Sequence, residues 1–151
     1  MLTGLAGECE VVKLLALKGW VPSLAINNCP TFDIFCFNPE TNKTVAIQVK
    51  TVRDKENAKV PSFPIMGNRE NRETFYNEIV GPYIFVHIDK DNNFSHYILS
   101  RTQFIQLSSQ IENDYDYDKY GNKKDLKPSP MAMPRKYILD YKDKWENIWK
   151  E

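Results

Sequence analysis

Two apolar, β-favouring runs flank a stretch of turn formers, and polar side chains interrupt both runs at matching places. Phe32-Asp33-Ile34-Phe35-Cys36-Phe37 and Thr44-Val45-Ala46-Ile47-Gln48-Val49-Lys50-Thr51 are separated by Asn38-Pro39-Glu40-Thr41-Asn42-Lys43, which predicts an antiparallel hairpin. A symmetrical hairpin pairs Phe37 with Thr44, and counting outward sets Asp33 opposite Gln48. Alternation along a strand keeps Gln48 and Lys50 on one face, and the register adds Asp33 to it. A carboxylate, an amide and an ammonium then converge in otherwise apolar strands. Burying charges there is costly unless they are paired or hold a metal, and metal-dependent phosphodiester chemistry would supply the reason.

The rest of the chain is compatible with an ordinary globular protein. Its 151 residues suit one domain with a real core. No apolar run is long enough to span a membrane, and Met1 to Gly7 lacks the basic and apolar regions of a secretory signal, so a soluble cytoplasmic protein is the expectation. Cys9, Cys29 and Cys36 have no zinc-ligand spacing. Cys9 and Cys36 lie in apolar stretches and are expected to be buried, without disulfides. A formal net charge of zero argues against a protein that coats itself nonspecifically in nucleic acid, while leaving room for a local basic groove.

Ahead of the hairpin, about Leu5 to Lys18 reads as a helix ended by Gly19. The spacing of Val11, Val12 and Leu15 extends back to Glu8, which places that carboxylate at the N-terminal end of the buried stripe. Glu10 falls on another stripe and reaches Lys13 or Leu14. Trp20 to Ile26 suggests a first strand, with Pro22 pointing to an edge.

Beyond the hairpin, Arg53 to Asn68 is hydrophilic and then proline-rich, which predicts a loop, and about Arg69 to Val80 returns to helical spacing before Gly81-Pro82. Tyr83 to Asp89 and Phe94 to Ser100 form a second hairpin, and Ser100-Arg101-Thr102-Gln103 is a capping box opening a helix through about Ser109. His87 shares a strand face with Tyr83 and Phe85, and both His87 and His96 are expected to be structural. Residues from about 112 to 136 lose the apolar period and suggest a long irregular loop. Its tyrosines (Tyr115, Tyr117, Tyr120) and lysines (Lys123, Lys124, Lys127) have the chemistry to stack on bases and hold phosphates, although Asp114, Asp116 and Asp118 interleave with them. Asp140 is a candidate N-cap for a C-terminal helix carrying Tyr141, Trp145, Ile148 and Trp149.

With these elements in order, the first third of the chain resembles the PD-(D/E)XK nuclease superfamily, which includes restriction endonucleases and archaeal Holliday junction resolvases. The resemblance rests on Gly7-Glu8, Gly19-Trp20, Phe32-Asp33 and Gln48-Val49-Lys50. It implies an α/β, restriction-endonuclease-like core: a central mixed β-sheet of about five strands flanked by helices, in a single domain over 1–151. It also implies roles. Glu8 is the helix carboxylate that assists metal binding, Asp33 the principal ligand, Gln48 the second ligand in a position that is usually acidic, and Lys50 the catalytic lysine. Two features depart from the pattern: Pro30 stands three residues before Asp33 rather than next to it, and Gln48 brings no charge. An amide oxygen ligates Mg²⁺ with less attraction than a carboxylate.

The expected activity is endonucleolytic hydrolysis of DNA with Mg²⁺ or Mn²⁺, RNA and a homodimeric arrangement both being open. Two other classes stay beside it. One is a catalytically inactive member that binds nucleic acid, and the other is a protein-interaction module using the Tyr115 to Pro134 segment. The plainest reading of the constellation itself is a partly buried Asp33–Lys50 ion pair, with Gln48 satisfying a backbone group and Glu8 exposed in the first helical turn.

Overall fold

A computed structural model of the chain describes residues 2–26, 29–125 and 129–151. Helix α1 (Leu2–Leu17) buries Gly7, Val11 and Leu15 on one stripe. It ends in a Schellman motif: Trp20 N–H reaches Leu15 O at 3.2 Å and Gly19 N–H reaches Ala16 O at 2.9 Å. That motif needs a left-handed residue, and Gly19 supplies it at φ 80°. Strand β1 (Val21–Leu24) forms the sheet edge, as Pro22 suggests.

The central hairpin forms in the register that its turn dictates. β2 (Ile34–Asn38) and β3 (Lys43–Arg53) pair antiparallel, with Phe37 opposite Thr44 and Ile34 opposite Ile47. Asn38 closes the turn by accepting the Glu40 N–H at 3.0 Å, and Asn42 takes the left-handed conformation at φ 55°. The chain continues through β4 (Ser62–Asn68), a 3₁₀ turn (Arg69–Asn71) and helix α2 (Arg72–Glu78). Then come β5 (Tyr83–Ile88), β6 (Phe94–Leu99), helix α3 (Arg101–Asp116) and β7 (Pro130–Pro134).

One five-stranded sheet has the order β1-β2-β3-β5-β6, and β4 and β7 make a separate two-stranded sheet. The large sheet is mixed, because β3 and β5 run parallel and every other pair antiparallel. On one face Ile34, Ile47, Val49, Ile84, Val86 and Ile98 pack under Val11 and Leu15 of α1, with Trp145 and Ile148 beside them. On the other, Val52, Tyr83, Phe85 and Leu99 pack against Phe63 and Ile65 of β4, Phe104 of α3, and Met131 and Met133 of β7. Among the described residues, no helix is long and apolar enough to cross a membrane.

Four expectations need correction. The segment expected as a loop over Arg53 to Asn68 contains β4, whose Phe63 and Ile65 are buried while Pro64 points outward. Helix α3 runs seven residues past Ser109, to Asp116, and the expected irregular segment at 112–136 also contains β7. What holds that last stretch of α3 is long-range: Arg69 pairs with buried Glu112 and Arg72 with buried Asp116, each at 2.5 Å. In place of a C-terminal α-helix there are three 3₁₀ turns (Arg135–Tyr137, Leu139–Tyr141, Trp145–Trp149). Asp140 lies inside the second rather than capping a helix, and Asp143, at φ 55°, interrupts the path between the second and third. Cys9 is exposed, whereas Cys36 is buried; all three cysteines are free thiols.

Candidate active site

The site forms where two hydrogen-bonded strands part. Asp33 precedes β2 by one residue; its N–H donates to Ile47 O at 2.9 Å and its carbonyl accepts from Ala25 N–H at 2.8 Å. Beyond that point β2 has no residue to offer β3. The Val49 N–H donates instead to Asp33 Oδ2 at 2.7 Å, so the carboxylate stands in for the next backbone carbonyl. Gln48 Nε2 donates to the same oxygen. Asp33 and Gln48 therefore meet as the register count requires, and Lys50, two residues on, shares the Gln48 face opposite Phe85 of β5.

The backbone of β3 takes sides as well. Gln48 N–H donates to Pro82 O at 3.0 Å and Asp54 N–H to Ile88 O at 2.8 Å, so the even-numbered peptide groups face β5. The Val49 N–H and, by strand geometry, its carbonyl face the Asp33 side.

Glu8 comes from α1, on the far side of the sheet. It reaches this region because Gly7 lies directly on Thr51, in the part of β3 that β2 no longer covers. A Cβ at residue 7 would stand 1.9 Å from Thr51 Oγ1. Glycine is unfavourable inside a helix, and here the close approach of helix and strand is what requires it. We expect Gly7→Ala to lift α1 from β3, lowering stability by about 1–3 kcal/mol and displacing Glu8. Urea unfolding checks this, and Thr51→Ala in the same chain should recover part of the loss, since the residue 51 Cβ would still stand 2.9 Å away; an unchanged midpoint for Gly7→Ala would remove Gly7 as the spacer.

Electrostatics tie the three ionisable groups together. Burial raises the Asp33 carboxyl above its ordinary range, opposed by the Val49 N–H, Lys50 and Gln48. Burial also raises Glu8, with Asp33 adding repulsion and Lys50 opposing it. Lys50 is lowered by burial, while Asp33 and Glu8 pull it back. Asp33 and Glu8 repel each other, and Lys50 attracts both.

Hard oxygen donors fit a hard divalent cation: Glu8, Asp33, the Gln48 amide oxygen Oε1 and the Val49 carbonyl. Among the described residues no three His, Cys, Asp or Glu side chains gather to hold a metal. A cation at Glu8 and Asp33 would complete its shell from neutral oxygens. Glu10, the other helix carboxylate, is turned elsewhere, pairing with Lys13 at 2.5 Å. His96 lies between Glu10 at 3.5 Å and Asp143 at 3.6 Å, and His87 between Asp54 at 3.0 Å and Arg135 at 2.8 Å.

Sequence reasoning missed a cleft on the Gln48 side of the site. A cleft of about 360 Å³ beside Gln48 is lined by Thr31, Phe75, Glu78, Ile79 and Tyr83. Tyr83 is the β5 partner of Gln48, and its hydroxyl is pushed up by burial and then by Asp33. Only the parallel β3–β5 pairing, which no local pattern announces, brings it there.

No protein-family model matches the chain, and no curated protein sequence matches it. Solved structures do. The fold is similar to that of the bacterial homing endonuclease I-Ssp6803I, with a TM-score of 0.52 at 14% identity over 96% of this chain and 87% of the other. A Holliday junction resolvase, Hjc from Archaeoglobus fulgidus, matches with a TM-score of 0.43 at 12% identity, over 89% of this chain and 91% of the other. The first likeness shows a shared fold, the α/β restriction-endonuclease-like core expected from the motif order.

Proposed function

We propose that this protein is a Mg²⁺- or Mn²⁺-dependent endonuclease acting on DNA, with Glu8, Asp33 and Gln48 as metal ligands and Lys50 as the catalytic lysine. The observation that carries the proposal is the convergence of Asp33, Gln48 and Lys50 at the parting of β2 and β3, with Glu8 coupled to them from α1. Glu8, Asp33 and Gln48 would hold a hard divalent cation, which would supply neutralisation of charge on the phosphoryl oxygens and a more acidic water. Asp33 and Glu8 supply its charge balance. Lys50, partly withdrawn from solvent, orients the attacking water or stabilises charge that develops on the phosphate.

One observation favours a second reading, a nucleic-acid-binding protein that does not cut. Gln48 already donates to Asp33, so the pair is satisfied without a cation. Incubating plasmid and branched DNA with the protein in Mg²⁺, Mn²⁺ or EDTA separates the two. Metal-dependent nicking that disappears in Asp33→Asn supports the nuclease. Salt-sensitive DNA binding with no nicking in any metal gives the second reading.

A further inference from the structure

A groove of about 880 Å³ lies between the β4–β7 sheet, the C-terminal half of α3 and the first 3₁₀ turn after β7. Its charged lining is one-sided: Lys59, Lys124, Arg135 and Lys136 stand against Asp114 alone. A chain of zero formal net charge has thus concentrated cations in one place. Between the cations lie flat and apolar surfaces. Tyr137 and Leu139 are 41% and 55% exposed, and Tyr115 is 46% exposed. Lys136 stands over the Tyr137 ring at 5.1 Å and Lys124 over Tyr115 at 4.7 Å, which sets ammonium groups beside aromatic faces. One lining residue of the groove reaches toward the strand that carries the candidate active site's neighbours. Arg135 touches His87 on β5, two residues beyond the Phe85 that pairs with Lys50, about 7 Å along the strand.

We propose that this groove binds an unpaired DNA strand, whose phosphates meet Lys59, Lys124, Arg135 and Lys136 and whose bases lie on Tyr137 and Leu139. Rings exposed within a positive groove suit a ligand carrying both π-faces and regularly spaced negative charge. A blunt duplex keeps its bases stacked inside and offers the phosphates alone. Assigning the strand to the enzyme's substrate rests on the nuclease reading, whereas the groove's affinity for it does not. The substrate class this adds is DNA with a single-stranded arm next to the cut.

Fluorescence anisotropy in EDTA, where no strand is cut, tests the assignment with labelled oligo-dT and a blunt duplex on the full chain. Oligo-dT should bind more tightly than the duplex. Tyr137→Ala should weaken oligo-dT roughly tenfold and leave the duplex unchanged, and Tyr137→Trp should retain binding. Replacing Lys59, Lys124 and Lys136 together by alanine should lower the salt slope for oligo-dT by about two. Circular dichroism melts of each variant confirm that the fold is kept. Equal oligo-dT binding by wild type and a folded Tyr137→Ala protein would overturn the groove, as would displacement of oligo-dT by poly-glutamate at equal charge concentration. Metal-dependent duplex nicking without oligo-dT binding defeats the groove alone, and oligo-dT binding without nicking in any metal defeats the nuclease reading alone.

Discussion

Lys50→Ala should fold, bind Mg²⁺ or Mn²⁺ at least as tightly as wild type, and cut DNA on the order of 10²–10³-fold more slowly. The expectation follows from what surrounds the ammonium. Lys50 is held in a partly buried position by attraction to Asp33 and Glu8, and those are the carboxylates a cation would use. Removing it takes one positive charge away from the ligands, so metal affinity holds or rises. On the nuclease reading it also takes away the charge that stabilises the reacting phosphate, so turnover should fall. Calorimetric metal titration beside plasmid nicking reads both effects. Loss of metal binding together with turnover would mean that Lys50 organises the site and plays no separate part in the chemistry.

Gln48→Glu should act in opposite directions with and without metal. In EDTA the new carboxylate faces Asp33 where an amide N–H now donates, and two carboxylates in contact repel or share one proton. Stability should drop by about 1–3 kcal/mol, because Asp33 Oδ2 also loses one of its two donors. Millimolar Mg²⁺ should restore it and carry it past wild type in the same buffer. The added charge should tighten Mg²⁺ at least tenfold, roughly 1.4 kcal/mol or more. Thermal melts in EDTA and in Mg²⁺, with calorimetry, measure the crossover. If the variant melts like wild type in both buffers, Gln48 does not stand at a ligand position.

The candidate site was visible in sequence because it is almost wholly local. Asp33, Gln48 and Lys50 belong to one hairpin, so turn length and alternation place them without any knowledge of the rest of the fold. Glu8 followed from helical period, whereas the contact of Gly7 with Thr51 beside it did not. The parts that escaped depend on contacts distant in sequence. β4 shows alternation at Phe63 and Ile65, but Pro61 and Pro64 hide it, and its partner β7 lies more than sixty residues away, with Ser62 opposite Pro134. Glu112 and Asp116 look like residues of an exposed loop until Arg69 and Arg72 arrive from another element. Tyr83 joined the site only through a parallel crossover. A C-terminal helix was suggested by aromatic spacing, yet Asp143 takes a left-handed backbone that breaks it.

Asp33 does two unrelated jobs, and they do not tolerate change equally. On the nuclease reading it supplies charge for a cation, and its Oδ2 closes the ladder where β2 abandons β3. The Lys50 side chain takes no part in that ladder, and on the nuclease reading its duty is in the chemistry alone. A lineage in which cleavage no longer mattered would be free to lose the lysine at once. A side-chain oxygen at position 33 would persist far longer, because without one the Val49 amide is left facing an open strand edge. If the nuclease reading holds, an acceptor at 33 among descendants of such a protein would record the architecture, and the residue at 50 would record whether cleavage is retained.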